Sequence, residues 1–202
     1  MTRPRVLLDV DGVLADFLTP FLHHINHYWG TSHTLDDMTK WDMYDSFDVP
    51  QEIRRLVDSK INEAGFAQTL KLLPGAKDGV AELQRIADVY IVTSPWSSPT
   101  WHHDRRLWLK EHFGIGGNYL ITTKAKHVVA GDVLIDDKTS TLEHWQKCHP
   151  RGLPIRWPGP NNRWDPSYDG ITAESWGEAC DLVQSYWRIE MGIGPTRIWE
   201  HK

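Results

Sequence analysis

Two aspartates, Asp9 and Asp11, close an apolar run in the segment "VLLDVDGVLADF". The β-branched and apolar content of Val6 to Asp9 predicts a buried strand. Side chains at i and i+2 of a strand point to the same side, so the two carboxylates face one way at its carboxyl end. That end is where ligands of open α/β sheets bind. Gly12 follows, and a residue without Cβ lets the backbone turn sharply and approach a ligand. An Asp-Gly pair can also mark no more than a turn. Asp9 fits that reading poorly, because a carboxylate ending a buried strand is costly without a partner. Val13 stands where an EF-hand loop needs an oxygen ligand, which excludes that motif.

Three further segments have chemistry to offer. "IVTSP" puts Thr93 and Ser94 after an apolar strand, where hydroxyls and backbone N–H groups suit phosphate oxygens; turn formation is the plain alternative. "GDVLIDDK" ends another apolar strand in Asp136 and Asp137. Like charges this close repel unless a cation lies between them. Magnesium takes one or two carboxylates and leaves room for substrate oxygens. Helix capping is the alternative for one of the pair. "TTKAKHVV" carries Lys124 and Lys126, and a cation beside a transferring phosphoryl group balances developing charge.

The elements that must position these groups alternate. Strands are predicted at Val6–Asp9, Val89–Thr93, Tyr119–Thr122, Val133–Ile135 and Pro154–Trp157. Helical stripes run over Ala76–Ile86 (Val80, Leu83, Ile86) and Trp101–Phe113 (Trp108, Leu109, Phe113, with Gly114 as C-cap), and a closing helix over Glu174–Ile189. Alternation of this kind predicts a doubly wound, Rossmann-like parallel sheet covered on both faces. The stretch from Phe17 to Leu72 breaks the rhythm with helical patterns and no clear strand. It reads as a small helical cap inserted after the first strand, leaving residues 1–16 and 73–202 as the core.

The four segments together resemble, in order and at the ends of the right strands, the four motifs of the haloacid dehalogenase superfamily of phosphatases. The chain is most similar to the 5′(3′)-deoxyribonucleotidase family, with further matches in "LPGAKDGV" and "RLWLKEHFG". The resemblance implies Asp9 as nucleophile and Asp11 as general acid/base, with the Asp11 backbone carbonyl touching the metal. It implies Thr93 and Ser94 as phosphate contacts and Lys126, ten residues before Asp136, as the motif lysine. It implies Asp136 and Asp137 as holders of Mg2+, and an aromatic at Phe17 against the nucleotide. Lys124 stands where an arginine is common. Trp41 and Phe66, in the insertion, are further candidates for stacking on a base. The expected activity is hydrolysis of nucleoside monophosphates. The rivals are another small phosphomonoester, a nucleic-acid 3′-phosphate, or a silent nucleotide-binding module.

Bulk properties narrow the partners. The 202 residues carry a net charge of −5 and a pI near 6.1, which gives no support for a duplex nucleic-acid partner. No run approaches the roughly 20 apolar residues of a membrane span, and the short start "MTRPR" does not read as a signal peptide. Cys148 and Cys180 form no framework, so a cytoplasmic, reducing setting is expected and both read as structural. A homodimer is compatible with all of this. His23, His24 and His27 lack a zinc motif and read as a solvated helix face. His102, His103 and Asp104 read as capping or lining residues, and "WPGPNNRW", Trp157 to Trp164, mainly as packing. The 11 tryptophans are expected largely in the core and its rim.

Overall fold

The computed structural model describes residues 3–163, 165 and 168–192. In chain order these form β1 (Arg5–Leu8), β2 (Ala15–Asp16), α1 (Leu18–Trp29), α2 (Met43–Ser46), α3 (Gln51–Ile61), β3 (Lys71–Leu72) and α4 (Ala76–Ile86). They continue as β4 (Asp88–Thr93), α5 (Trp101–Phe113), β5 (Leu120–Thr122), β6 (Val133–Asp136), α6 (Thr139–Cys148), β7 (Leu153–Arg156), β8 (Ile171–Thr172) and α7 (Trp176–Glu190). Six strands make one parallel sheet in the order β5-β4-β1-β6-β7-β8. The chain thus winds outward both ways from β1, the expected doubly wound α/β class.

Alternation along the strands decides which helix covers which face. Val6 and Leu8 of β1, Val89 and Ile91 of β4, and Val133 and Ile135 of β6 point into one core. Val80 and Leu83 of α4, Trp108 and Leu109 of α5, and Val183 and Tyr186 of α7 fill it. Leu7, Val92 and Leu134 point the other way, against Leu142 and Trp145 of α6. Each face is therefore apolar, and a polar residue is tolerated only where the strands end.

The segment between β2 and β3 has a hydrophobic cluster of its own. Phe21, Leu22 and Ile25 of α1, Met43 and Tyr44 of α2, and Ile53, Val57 and Ile61 of α3 pack together and onto Trp101 of the core. Two features tie its ends down. Ala15–Asp16 pairs antiparallel with Lys71–Leu72, a ribbon too short to read from sequence. Asp104 of α5 accepts hydrogen bonds from Gly65 N (2.9 Å), Gln68 Nε2 (2.8 Å) and Thr100 Oγ1 (2.6 Å). Burial opposes ionisation of Asp104, and these donors overcome it, so its pKa is lowered. The strand expected at Pro154–Trp157 begins and ends one residue earlier. The closing helix starts at Trp176 because Ser175 caps it, accepting from Glu178 N at 3.2 Å. The edge strand β8 was not foreseen; it has two residues, both only half-buried.

Candidate active site

The β1–β6 register sets Leu8 beside Ile135, so the next residues, Asp9 and Asp136, stand side by side at the carboxyl edge. Asp9 N donates to Ile135 O at 3.0 Å and extends the ladder one step. The chain then folds into a tight loop. Val10 O accepts from Leu14 N and Ala15 N, both at 2.8 Å, and Gly12 N donates to Ala15 O at 3.0 Å. Gly12 has φ +80°, and a Cβ there would sit 2.4 Å from Asp137 Oδ2. Glycine is required twice over, for the backbone angle and for the approach of the carboxylate.

Lys126, 96 % shielded from solvent, stands between Asp9 Oδ1 and Asp136 Oδ2, 2.7 Å from each. Burial alone would lower its pKa, but Asp136 and Asp9 outweigh it and keep the ammonium charged. Asp136 Oδ1 accepts from Lys138 N at 2.9 Å. Asp137 Oδ2 accepts from Asn161 Nδ2 at 2.6 Å. Burial first, and then the neighbouring carboxylates, push both Asp136 and Asp137 upward in pKa. Asp9, Asp136 and Asp137 each offer an oxygen within 4.8 Å of the others. Three buried carboxylates thus face one ammonium, an arrangement that a hard divalent cation suits in both charge and donor type.

These groups floor a cavity of about 480 Å³. Asp9, Asp11, Gly12, Thr93, Ser94, Lys124, Lys126, Asp136 and Asp137 all line it, so the structure brings together the residues of all four motifs. Thr93 is 1 % exposed, and among the described residues its hydroxyl has no hydrogen-bond partner. A buried hydroxyl left unpaired costs roughly 1–3 kcal/mol, so a ligand oxygen there would be favoured. Ser94 Oγ reaches Thr123 O at only 3.5 Å. The rest of the lining is mainly aromatic, with Phe17, Phe21, Trp41, Tyr44, Trp96 and Trp101, and carries one acid, Asp42.

A family described as 5′ nucleotidase, deoxy (pyrimidine), cytosolic type C protein matches residues 3–188. The chain belongs to the 5′(3′)-deoxyribonucleotidase family of the haloacid dehalogenase superfamily. A candidate 5′(3′)-deoxyribonucleotidase of Bordetella pertussis is 32% identical over 165 residues, covering 78% of this chain and 85% of that protein. The 5′(3′)-deoxyribonucleotidase of Bacillus subtilis is 26% identical over 159 residues, covering 78% of this chain and 87% of its own. A phosphonoacetaldehyde hydrolase-like protein from Oleispira antarctica has a similar fold, with a TM-score of 0.59 at 13% identity, covering 96% of each chain. A haloacid dehalogenase-like hydrolase candidate from Burkholderia xenovorans has a TM-score of 0.56 at 17% identity, covering 93% of this chain and 99% of that one. The chain is a phosphatase of this superfamily. No helix among the described residues is long and apolar enough to cross a membrane.

The site of this nucleotidase-family member also contains residues that sequence reasoning missed. Arg105, fully buried in α5, donates from Nη2 to Asp11 Oδ1 at 2.7 Å. Its guanidinium lies over Trp101 and Trp108, 5.0 and 5.4 Å from their ring centroids. Burial raises the Asp11 pKa above its ordinary value, Arg105 pulls it back, and Asp9 pushes it up again. The Asp11 side chain turns to Arg105, and the oxygen cluster of the described residues is formed by the other three acids. Arg105 falls at helical spacing between Trp101 and Trp108 and Leu109, and that placement of a charge among buried apolar residues was the available signal for it. Asn161 had none beyond a turn-rich loop. That loop reaches one acid of the cluster, Asp137, through Asn161, so it does more than the packing expected of it; Trp164 lies outside the described residues.

Phe66 is a correction. It does not line the cavity but packs behind it, edge-on to Phe17 at 6.3 Å and stacked on Trp101 at 6.4 Å. The reason is the Asp104 anchor, which draws the segment around Gly65 and Gln68 down onto α5. Phe17 does line the cavity, braced by Phe21, Trp96 and Trp101 at ring distances of 5.4, 5.6 and 6.2 Å. Trp41 is at the mouth, 38% exposed, with Lys138 Nζ 3.9 Å above its ring. His23 and His27 are exposed on α1, rings stacked at 6.3 Å. His102 bonds Thr122 Oγ1 at 2.7 Å, away from the lining.

Proposed function

We propose that this phosphatase is magnesium-dependent and removes phosphate from nucleoside monophosphates, preferentially deoxyribonucleotides, through an aspartyl-phosphate on Asp9. The observation that carries the reading is the convergence of Asp9, Asp11, Lys126, Asp136 and Asp137 on one cavity with an aromatic roof. Asp9, Asp136 and Asp137 would hold the metal, and the Asp11 carbonyl is the further contact that the resemblance implies. When bound, Mg2+ supplies charge neutralisation at the nonbridging phosphoryl oxygens.

The chain's own residues supply the rest. Asp9 attacks phosphorus, and the P–O bond to the nucleoside breaks as the acyl phosphate forms. Covalent capture splits one hard step into two easier ones. Asp11, its pKa raised by burial, donates a proton to the departing oxygen and then accepts one from the water that attacks the acyl phosphate. General acid/base groups of this kind contribute typically 10²–10⁴-fold. Lys126 holds the Asp9 carboxylate in place and balances charge on the phosphoryl group. The unpaired Thr93 hydroxyl, with Ser94 and Lys124, is suited to the phosphate. Phe17 and Trp41 offer faces to a flat base, worth roughly 1–3 kcal/mol per stack. The substrate is a small molecule; the acidic balance supports no duplex. The proposed compartment is the cytoplasm, supported by two unpaired cysteines.

The test is hydrolysis of deoxy- and ribonucleoside 5′- and 3′-monophosphates and of sugar phosphates, with Mg2+. Higher kcat/KM for the deoxyribonucleotides supports the reading; a sugar phosphate as the best substrate overturns it.

A further inference from the structure

The loop after β7 divides its work between two asparagines. Asn162 folds it: Nδ2 donates to Asp137 O and Trp157 O, each at 2.7 Å, and Oδ1 accepts from Gly159 N at 2.9 Å. These bonds fasten residues 157–162 to the end of β6. They also deliver Asn161, 2% exposed, to the carboxylate of Asp137. The 2.6 Å bond from Asn161 Nδ2 falls on Oδ2, the oxygen that also lies against Gly12, where a Cβ would be 2.4 Å away. Oδ2 is therefore bonded by the amide on one side and packed against the bare Cα of residue 12 on the other.

Asp137 has particular need of such a grip. It is buried beside Asp9 and Asp136, and the ammonium of Lys126 pairs with those two acids, not with Asp137. Among the described residues, Asn161 makes the side-chain hydrogen bond that its carboxylate receives. A neutral amide fits this task better than a cation. It fixes the carboxylate's rotation while leaving the negative charge uncancelled for a metal, whereas a lysine or arginine would compete with the metal for the same oxygens.

We propose that Asn161 is a positioning residue that orients Asp137 toward the divalent cation and so sets the affinity for the metal. The inference rests on the magnesium-dependent reading above. Outer partners of metal-binding carboxylates typically contribute 10–100-fold to metal affinity or activity. Asn161→Ala should weaken Mg2+ binding by that factor in titration calorimetry on the full chain. It should also shrink the rise in melting temperature that Mg2+ produces. Turnover lost at limiting Mg2+ should be recovered by raising the metal concentration. Asn161→Ser, which keeps a shorter hydroxyl donor, should fall between the variant and the wild type.

A purely structural role predicts a different pattern, in which the melting temperature falls but the Mg2+ dissociation constant does not move. A folded Asn161→Ala protein that binds Mg2+ within about twofold of wild type overturns the proposal. If that variant does not fold, Asn161→Ser decides it by the same criterion. Wild-type protein that neither binds Mg2+ nor needs it removes the metal reading itself. That outcome is read on the unmutated chain and is distinct from a failure of Asn161 alone.

Discussion

Arg105→Met tests the buried pair that the sequence did not reveal. The substitution keeps most of the side chain's length between Trp101 and Trp108 and removes the charge. Breaking a buried ion pair by deleting one partner costs about 3–5 kcal/mol. Asp11 is a quarter exposed on its side chain, so water screens part of that loss. An expectation of about 2–3 kcal/mol follows. For a chain of this size, 1 kcal/mol moves the melting temperature by roughly 2–4 °C, so the fall should be about 4–12 °C. The sign of the pH dependence follows from Asp11. Its folded pKa is raised above the ordinary 3.8, so its ionised form subtracts stability as pH rises from that value through the folded one. Without Arg105 the raise grows. The deficit of the variant should be largest at neutral pH and should narrow as pH falls toward 4. Scanning calorimetry of wild type, Arg105→Met, Asp11→Asn and the double variant closes a thermodynamic cycle. The double variant should recover part of the loss, with a coupling energy of about 1.5–3 kcal/mol. Single-variant losses that add to within roughly 0.5 kcal/mol, with no narrowing at low pH, would refute the reasoning.

Four other outcomes follow from the same geometry. Asp9→Asn should abolish turnover of a generic aryl phosphate while circular dichroism stays native; turnover retained in the folded variant removes Asp9 as nucleophile. Exhaustive EDTA treatment should silence the enzyme, and Mg2+ should restore it, because the clustered donors are all carboxylate oxygens. Gly12→Ala should cost several kcal/mol in thermal unfolding, since its Cβ would lie 2.4 Å from Asp137 Oδ2 at φ +80°; a melting temperature within about 1 °C of wild type would contradict the close approach. Phe17→Ala should lower kcat/KM for a deoxyribonucleotide by roughly tenfold, the scale of one lost stacking contact; equal values for deoxy- and ribonucleotides, unmoved by the substitution, would remove the sugar preference.

The sequence by itself determined the parts of this protein that rest on local pattern. Continuous apolar, β-branched runs marked β1, β4 and β6, since strands buried on both faces show no alternation, and period-3.6 stripes marked α4 and α5, which are long enough for burial to repeat. Acids at strand ends were legible because a charged residue closing an apolar run has few structural explanations. Strand order then tied Asp9, Asp11, Thr93, Asp136 and Asp137 to one edge, since parallel strands deliver their carboxyl ends to the same side; Lys126, which closes no strand, was placed by the resemblance to the family's motifs. Short pairings were not legible: two residues, as in β2, β3 and β8, show no period. Nor were contacts made across long separations. Only the tertiary structure decided that Arg105 pairs with Asp11, 94 positions away, that Asn161 holds Asp137, and that Asp104 draws Phe66 behind the cavity wall. In each case the partner is chosen by which buried polar group lacks a bond once the helices have packed, and that is a property of the assembled core, not of any stretch of chain.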